Sequence, residues 1–427
     1  MNQLINFGEF RYKSRFLPVS KSLFNRLLFI LSFINRTTVL NIPSLNIDTK
    51  IMIYSLIGIG KDILFRNNTI TIVGNNYVEL KYSYFNFRNS GITARIISLL
   101  VLFRNNRHVI LDGSSEMRRR PLLSLLKIYS SFCINRKFQY LDKHGYFPIK
   151  VLGKPKLLLK NNISVSSNIS SQFLTSLILN IPLFYKRGIN IFIGKLASLS
   201  YIYMTVKLMH NLGIDISIRD NVIYYNRSDY KYNSNIHRFI EIDYSSFSYI
   251  VFSYFANEKI LSLKSINFNS IQSEVKFIKV FNAIGYKVIG KHRSLMFNKN
   301  TLCFRYVCID CSLIIDTSMI IPILAFRGLK KVKLYNIYNW NYKESRRLDV
   351  LIKELKKLGC FVKHGKNWIK VVTLVDIRSV VIGTYHDHRI FMIFFPLIFY
   401  SGIIAISNPN NIKKTYPMFL RNECYKN

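Results

Sequence analysis

The chain has 427 residues, 49% hydrophobic and 14% aromatic, which excludes a disordered chain and makes two domains the expectation, since one core rarely serves that length. Its 61 Lys and Arg against 22 Asp and Glu leave a formal charge of +39, which calls for an anionic partner: nucleic acid, a membrane surface or a phosphorylated substrate. Ile, Asn, Lys, Tyr and Phe are over-used and the basic residues are dispersed, so most of the excess is assigned to AT-rich compositional bias, leaving a smaller local demand to be found.

The opening residues MNQLINFGEFRYK lack the apolar stretch of a secretory signal, and the expectation is a cytoplasmic protein with reduced thiols. LPVSKSLFNRLLFILSFI then sets Lys21, Ser22 and Arg26 at the start of an apolar helix. Free N–H groups and the positive dipole end make such a start an anion site when cations join it. FRNSGITARIISLLVLF repeats the arrangement, with Gly91 allowing an anion close to the backbone. GSSEMRRRPLLSLL places Arg120 before Pro121, expected at the first helical position. SVSSNISSQFLTSLIL heads a helix with Ser170, Ser171 and Gln172, hydroxyls and an amide suited to a phosphate ester.

Three later stretches share a helix, a glycine stop and a strand: VKLMHNLGIDISI, IKVFNAIGYKVIG and IKELKKLGCFVKH, around Gly213, Gly285 and Gly359. The glycines recur 72 and 74 residues apart, which divides the chain into six α/β units, three per domain. Between them Cys308 and Cys311 form a lone CxxC, expected as two core thiols because no second pair follows. YNIYNWNYKESRRLDVLIKEL gathers Asn339, Lys343, Glu344 and Arg347 at a helix start. YHDHR sets Arg389 before an apolar run, residues 390–406, which is short for a membrane span and broken at Gly402, so a buried helix and strand are expected. His386, Asp387 and His388 invite a metal reading, but no further ligand cluster supports it.

Six polar helix starts, each leading into a buried helix, imply convergence on one strongly anionic ligand set. The segments LPxSKSxxNR, NSGITAR, EMRRRP, SSQFLT, IYNWxxKESxRL, YHDHR and KKTYP, spread from residue 17 to 417, resemble in order and spacing those of the 5-enolpyruvylshikimate-3-phosphate synthase family. The sister enzyme acting on UDP-N-acetylglucosamine usually carries a reactive Cys where this chain reads NPNNIKKTYP.

The resemblance implies transfer of the enolpyruvyl group of phosphoenolpyruvate to the 5-hydroxyl of shikimate 3-phosphate, with no metal or organic cofactor, by a cytoplasmic monomer without membrane or specific nucleic-acid partners. It implies an α/β (α+β) fold of two similar domains, each of three βαβαββ units with buried helices and outer sheets. The boundaries expected are 21–240 for one domain and 1–20 with 241–427 for the other, with the active site in a cleft between them. Carried over by residue, Lys21, Ser22, Arg26, Ser170, Ser171, Gln172, Ser198, Tyr201, Asp316, Asn339 and Lys343 would bind shikimate 3-phosphate. Lys21, Gly91, Arg120, Gln172, Arg347, Arg389 and Lys414 would bind phosphoenolpyruvate. Asp316 would be the base for the 5-hydroxyl, and Glu344 with Lys21 would serve the methylene carbon. Several positions depart from the family's pattern: Val19, Arg88 and Ile242 replace glycines, Ile92 a Thr, Ile96 a Pro and His386 an Asn.

Overall fold

The computed structural model describes residues 17–42, 45–104, 107–135, 137–167, 170–196, 199–256, 261–263, 267–284, 286–291, 294–299, 306–327, 331–373, 379–401, 404–409, 412 and 416. Ser198, Gly285 and Lys414 lie outside them. By contacts the chain divides into two units: residues 19–241, and the residues up to Pro18 together with those from Ile242 onward. The chain passes from one to the other at 18–19 and 241–242. Flanking those passages, Ser20 N–H donates to Glu241 C=O (2.9 Å) and Asp243 N–H to Pro18 C=O (2.9 Å).

The first unit runs α1 (Lys21–Leu31), β1 (Thr37–Asn41), α2 (Ile47–Gly58), β2 (Asp62–Arg66) and β3 (Thr69–Val73). It continues with β4 (Tyr84–Asn86), α3 (Gly91–Arg104), β5 (Val109–Asp112), α4 (Ser115–Arg118), α5 (Leu123–Ser131), β6 (Phe138–Tyr140) and β7 (Ile149–Val151). A last set comprises β8 (Asn162–Ser167), α6 (Gln172–Phe184), β9 (Ile189–Leu196), α7 (Leu199–Asn211), β10 (Ile216–Arg219) and β11 (Val222–Tyr225).

One topology repeats. In the second set β4 pairs parallel with β5 across α3, then β5, β7 and β6 pair antiparallel. In the third β8 pairs parallel with β9 across α6, and β9, β11 and β10 follow antiparallel. The first set has the same antiparallel part, β1-β3-β2. This is βαβαββ, a crossover unit followed by a helix and a hairpin.

The second unit comprises α8 (Tyr244–Ala256), β12 (Leu261–Leu263), α9 (Phe277–Ala283), β13 (Tyr286–Lys291) and β14 (Ser294–Lys299). Then come β15 (Tyr306–Asp310), α10 (Ile321–Leu324), β16 (Lys331–Tyr335), α11 (Arg347–Lys357), β17 (Phe361–Gly365) and β18 (Trp368–Val372). It closes with β19 (Val380–Ile382), α12 (His388–Ser401) and β20 (Ile404–Ile406). Strands β15-β16-β18-β17 reproduce the order of the four-stranded sheets above, β12-β14-β13 their antiparallel part, and β19 with β20 the parallel pair.

Within each unit the helices are inside. Thr93 through Phe103 of α3, Phe173 through Phe184 of α6 and His388 through Leu397 of α12 are all buried, which is why these helices read as apolar on every side. Asn180 of α6 donates to Ile96 C=O of α3 at 3.1 Å, tying these two helices together. The strands alternate, β15 and β1 showing one buried and one exposed face.

Gly213 and Gly359 end α7 and α11 at φ +82° and +92°, the left-handed stop the sequence predicts. Residues 390–401 belong to α12 and Ile404–Ile406 form β20, a helix and a strand as expected; Gly402, the predicted break, lies outside the described residues. Two expectations need correction. Pro121 lies two residues ahead of Leu123, outside α5, because Leu122 takes the cap position. Cys311 is buried, but Cys308 is exposed: it sits on β15 with the outward parity of Tyr306 and Asp310, whereas Cys311 follows the strand's end.

Candidate active site

In the first unit the predicted residues gather at the starts of α1, α3 and α6. Ser20 caps α1, its hydroxyl accepting from Leu23 N–H (3.4 Å). That sets Lys21 in the first turn, where its Nζ lies 3.2 Å from Asp48 Oδ2. One turn on, Arg26 turns inward. Its Nε donates to Thr205 Oγ1 (2.8 Å), Nη2 to Thr175 Oγ1 (3.3 Å) and Nη1 to Ser22 C=O (2.5 Å). Its guanidinium carbon stands 6.0 Å from the Tyr201 ring centre. Burial lowers its pKa to about 10, yet hydroxyl and carbonyl partners keep every contact suited to the charged form.

Gly91 begins α3 beside Gln172 and Arg120. A Cβ at Gly91 would stand 2.9 Å from Gln172 Oε1 and 3.3 Å from Arg120 Nη1, so only glycine leaves these two groups undisturbed. Arg120 Nη2 donates to Asn89 Oδ1 (2.6 Å). Ser170 Oγ accepts from Gln172 N–H (3.2 Å), and Ser171 is buried at the cap of α6 without a side-chain cap bond. Arg95, buried on α3, donates to Met117 Sδ and to Pro121 C=O (3.4 Å). Burial, with Arg120 nearby, lowers its pKa to about 9. Lys21, Arg26, Arg95 and Arg120 thus face one carboxylate, Asp48, among the ion pairs of the described residues here.

The second unit holds a denser network. Asp316, buried ahead of α10, receives Arg389 Nη2 on Oδ2 (3.1 Å) and Arg347 Nη1 on Oδ1 (3.3 Å), with Lys343 Nζ 3.7 Å from Oδ1. Arg347, the first residue of α11, also donates from Nε to Asp387 Oδ2 (2.8 Å) and from Nη2 to Glu344 Oε2 (3.1 Å). Arg389 adds Tyr249 OH (3.1 Å) and Ser245 Oγ (3.2 Å). Asn339 is buried in the 3-10 turn Tyr338–Tyr342, whose Trp340 Nε1 donates to Ile315 C=O (2.8 Å) beside Asp316.

Burial opposes every charge in this network; partners reverse its effect at Asp387 and Arg347 but not at Lys343 or Glu274. Burial raises the Asp387 carboxyl's pKa, but Arg347 outweighs it and the net shift is down. Burial lowers Arg347, yet Asp387 and Glu344 hold it above its usual value. Lys343 is lowered by burial, partly offset by Asp316. Glu274 goes the other way: burial and then the Asp316 charge push it up to about 7. Its oxygens accept from Asp316 N–H (3.3 Å), Thr317 N–H (3.3 Å) and Thr317 Oγ1 (2.5 Å).

Lys343, Arg347 and Arg389 are therefore paired with Asp316, Glu344 and Asp387, and Glu274 stands behind Asp316.

Glu344, Asp387 and His388 bring ligand atoms within 4.8 Å of one another. Arg347 already donates to both carboxylates, and a guanidinium in that position repels a cation. His386, the other histidine of the motif, is exposed at φ +58° and does not join them. Sequence reading missed Glu274, Tyr249 and Ser245, and likewise Thr175 and Thr205. Glu274 sits in QSEVKF, which signals only a helix start, and the others lie inside helices that read as core.

Among the described residues, no helix is long and apolar enough to cross a membrane. The family profile of EPSP synthase (3-phosphoshikimate 1-carboxyvinyltransferase) matches residues 16–422. A 3-phosphoshikimate 1-carboxyvinyltransferase of Buchnera aphidicola subsp. Cinara cedri is 33% identical over 413 residues, covering 95% of this chain and 93% of its own. One of Yersinia pestis is 29% identical, covering 94% and 93%. The solved EPSP synthase of Acinetobacter baumannii shares the fold at a TM-score of 0.77, with 18% identity, 98% of this chain and 96% of that one covered. The chain belongs to the EPSP synthase (3-phosphoshikimate 1-carboxyvinyltransferase) family.

Proposed function

We propose that this chain transfers the enolpyruvyl group of phosphoenolpyruvate to the 5-hydroxyl of shikimate 3-phosphate, releasing inorganic phosphate, and that it does so in the cytoplasm as a monomer. The observation that carries this reading is the buried Asp316 carboxylate, bound by Arg347 and Arg389 with Lys343 close by. Cations at these distances favour the charged carboxylate; as they turn to substrate anions on binding, Asp316 is freed to accept a proton.

In this reading Asp316 takes the 5-hydroxyl proton as the oxygen bonds to C2 of phosphoenolpyruvate. Glu344, with Lys21, delivers a proton to the methylene carbon, giving a tetrahedral intermediate. Elimination removes a proton from the new methyl group as the C2–O bond to phosphate breaks. Arg120, Arg347, Arg389 and Lys414, with Gln172 and the Gly91 backbone, hold phosphoenolpyruvate; planar forks suit its carboxylate and phosphate. Ser22, Arg26, Ser170, Ser171, Gln172, Ser198, Tyr201, Asn339 and Lys343 hold shikimate 3-phosphate. Orientation and charge compensation supply most of the acceleration.

The test is a coupled assay of phosphate release that requires both substrates. The parent chain should turn over, and Asp316→Asn should be slower by about 10²–10⁴-fold. Phosphate release without shikimate 3-phosphate, or none from either mixture, would overturn the reading.

A further inference from the structure

The outward face of the β15-β16-β18-β17 sheet has a composition that enolpyruvyl transfer does not use. Register gives its rows. Tyr306, Lys331, Val372 and Phe361 lie side by side; next come Cys308, Lys333, Lys370 and Lys363; then Asp310, Tyr335, Trp368 and Gly365. The opposite parity, including Val307, Val332, Ile369, Val371 and Val362, is buried. Three lysines therefore stand on adjacent strands, spanning about 10 Å at ordinary strand spacing, with a fourth two residues along β16.

Like charges directly opposite each other weaken a sheet. Here Lys370 is lowered first by Lys331, with burial, Lys363 and Lys333 adding to it. Among the described residues no carboxylate forms an ion pair with any of the four. Asp310, at one corner, is occupied by Ser312 N–H (2.8 Å) and Asn336 Nδ2 (3.0 Å).

Rings border the lysine row on both sides. Tyr306, Tyr335 and Phe361 are 48%, 38% and 54% exposed. Trp368 lies across its register partner Gly365, where a Cβ would come within 2.5 Å of the indole nitrogen; the missing side chain lets the ring lie along the sheet. Lys331, Lys333 and Lys363 stand 4.9, 6.0 and 5.7 Å from the ring centres of Tyr306, Trp368 and Phe361. Compositional bias scatters lysines over a surface. It does not account for a row of three lysines, with no acid paired to them among the described residues, between rows that carry Tyr306 and Phe361 on one side and Tyr335 and the half-buried Trp368 on the other.

We propose that this sheet face binds single-stranded polynucleotide, without sequence preference, by neutralising successive phosphates with Lys331, Lys333, Lys370 and Lys363 and stacking bases on Tyr306, Tyr335, Phe361 and Trp368. Rings are sequence-tolerant stacking platforms, and lysine on a backbone gives affinity without base readout. An acidic polypeptide would use the charges and leave the rings idle. An anionic membrane would need a deeper apolar edge than this flat face offers.

The test is fluorescence anisotropy of a labelled 12-residue oligouridylate with the full chain. Three to four phosphate contacts predict a slope of log affinity on log salt of about −2 to −3. Lys333→Glu/Lys363→Glu/Lys370→Glu should weaken binding at least ~10-fold, and Phe361→Ala/Trp368→Ala, which leaves the charge unchanged, at least ~5-fold. The control is Lys50→Glu/Lys127→Glu/Lys207→Glu, an equal charge change at exposed lysines on helices elsewhere, which should cost less than ~3-fold. Melting curves and transferase activity report folding, and Lys→Gln versions replace any Glu variant that fails to fold. Equal losses in the two lysine triples, no loss on removing the rings, or binding of polyglutamate or anionic vesicles as tight as that of the oligonucleotide would each overturn the proposal.

Discussion

Arg347 and Asp387 meet through two donors on two oxygens, Nε to Oδ2 at 2.8 Å and Nη2 to Oδ1 at 3.3 Å, with 3% and 0% of the side chains exposed. Asp387 also accepts from Ser345 Oγ (3.0 Å) and from Arg389 N–H (2.9 Å). It thereby fixes the start of both α11 and α12, the helices that present the two arginines. The sequence reads Arg389 as the anion-binding element of YHDHR and Asp387 as an orienting one; these bonds are how Asp387 would orient it.

Asp387→Ala should leave Arg347 buried with its main partner gone, at a cost of about 3–5 kcal/mol in folding stability. Urea denaturation measures this. Asp387→Asn keeps the shape and should cost less while still raising the KM for phosphoenolpyruvate. A loss in the Ala variant under about 1 kcal/mol would mean that Asp316 and Glu344 alone suffice for Arg347.

Arg389→Ala should raise the KM for phosphoenolpyruvate far more than that for shikimate 3-phosphate. Its partners, Asp316, Tyr249 and Ser245, survive the change, so the loss falls on the anion it is proposed to hold. Truncating one buried charged partner costs about 2–5 kcal/mol, or roughly 30-fold to several-thousand-fold. Equal increases in both KM values would remove Arg389 from the phosphoenolpyruvate site.

Glu274 supplies a pH test. Its folded-state pKa is raised, to about 7, by burial and the neighbouring Asp316 charge, so the native chain keeps a proton that the unfolded chain has already released. That contribution to stability is present below the ordinary carboxylate range and is lost as pH climbs through about 7. Glu274→Gln imitates the protonated form at every pH. The melting temperature of the variant minus that of the parent should therefore rise between pH 5 and pH 8. A difference that stays flat would mean that Glu274 is ionised throughout.

The repeat was legible because it rests on local signals. Glycine stops at Gly213 and Gly359, apolar helices and alternating strands each follow from a few adjacent residues. The cationic helix starts were legible for the same reason. Compensation was not. That Lys343, Arg347 and Arg389 sit among four acids depends on Glu274, far upstream of the other three, and no periodicity links it to YHDHR. Cys308 failed for a simpler cause: a strand's parity, not its apolar character, decides which thiol faces in.

The lost glycines give the last test. Arg88 stands where the resembled family has glycine, and it adopts φ +45°, a left-handed conformation that costs a non-glycine residue about 1–2 kcal/mol. The loop has little freedom to relax. Arg88 N–H donates to Asn86 Oδ1 (2.8 Å), its C=O accepts from Ser114 N–H (2.9 Å), and a Cβ at Gly113 would approach that carbonyl to 2.8 Å. The Arg88 side chain is exposed, so removing it forfeits little packing. Glycine's greater freedom in the unfolded chain takes back about 0.5–1 kcal/mol. Arg88→Gly should thus stabilise the protein by about 0.5–1 kcal/mol, read as an increase in melting temperature on the order of 1 °C. Arg88→Ala keeps the Cβ and with it the strain, so it should gain nothing. If both variants gained equally, the benefit would come from removing a positive charge from a chain of +39, and the backbone at Arg88 would not be the source of strain.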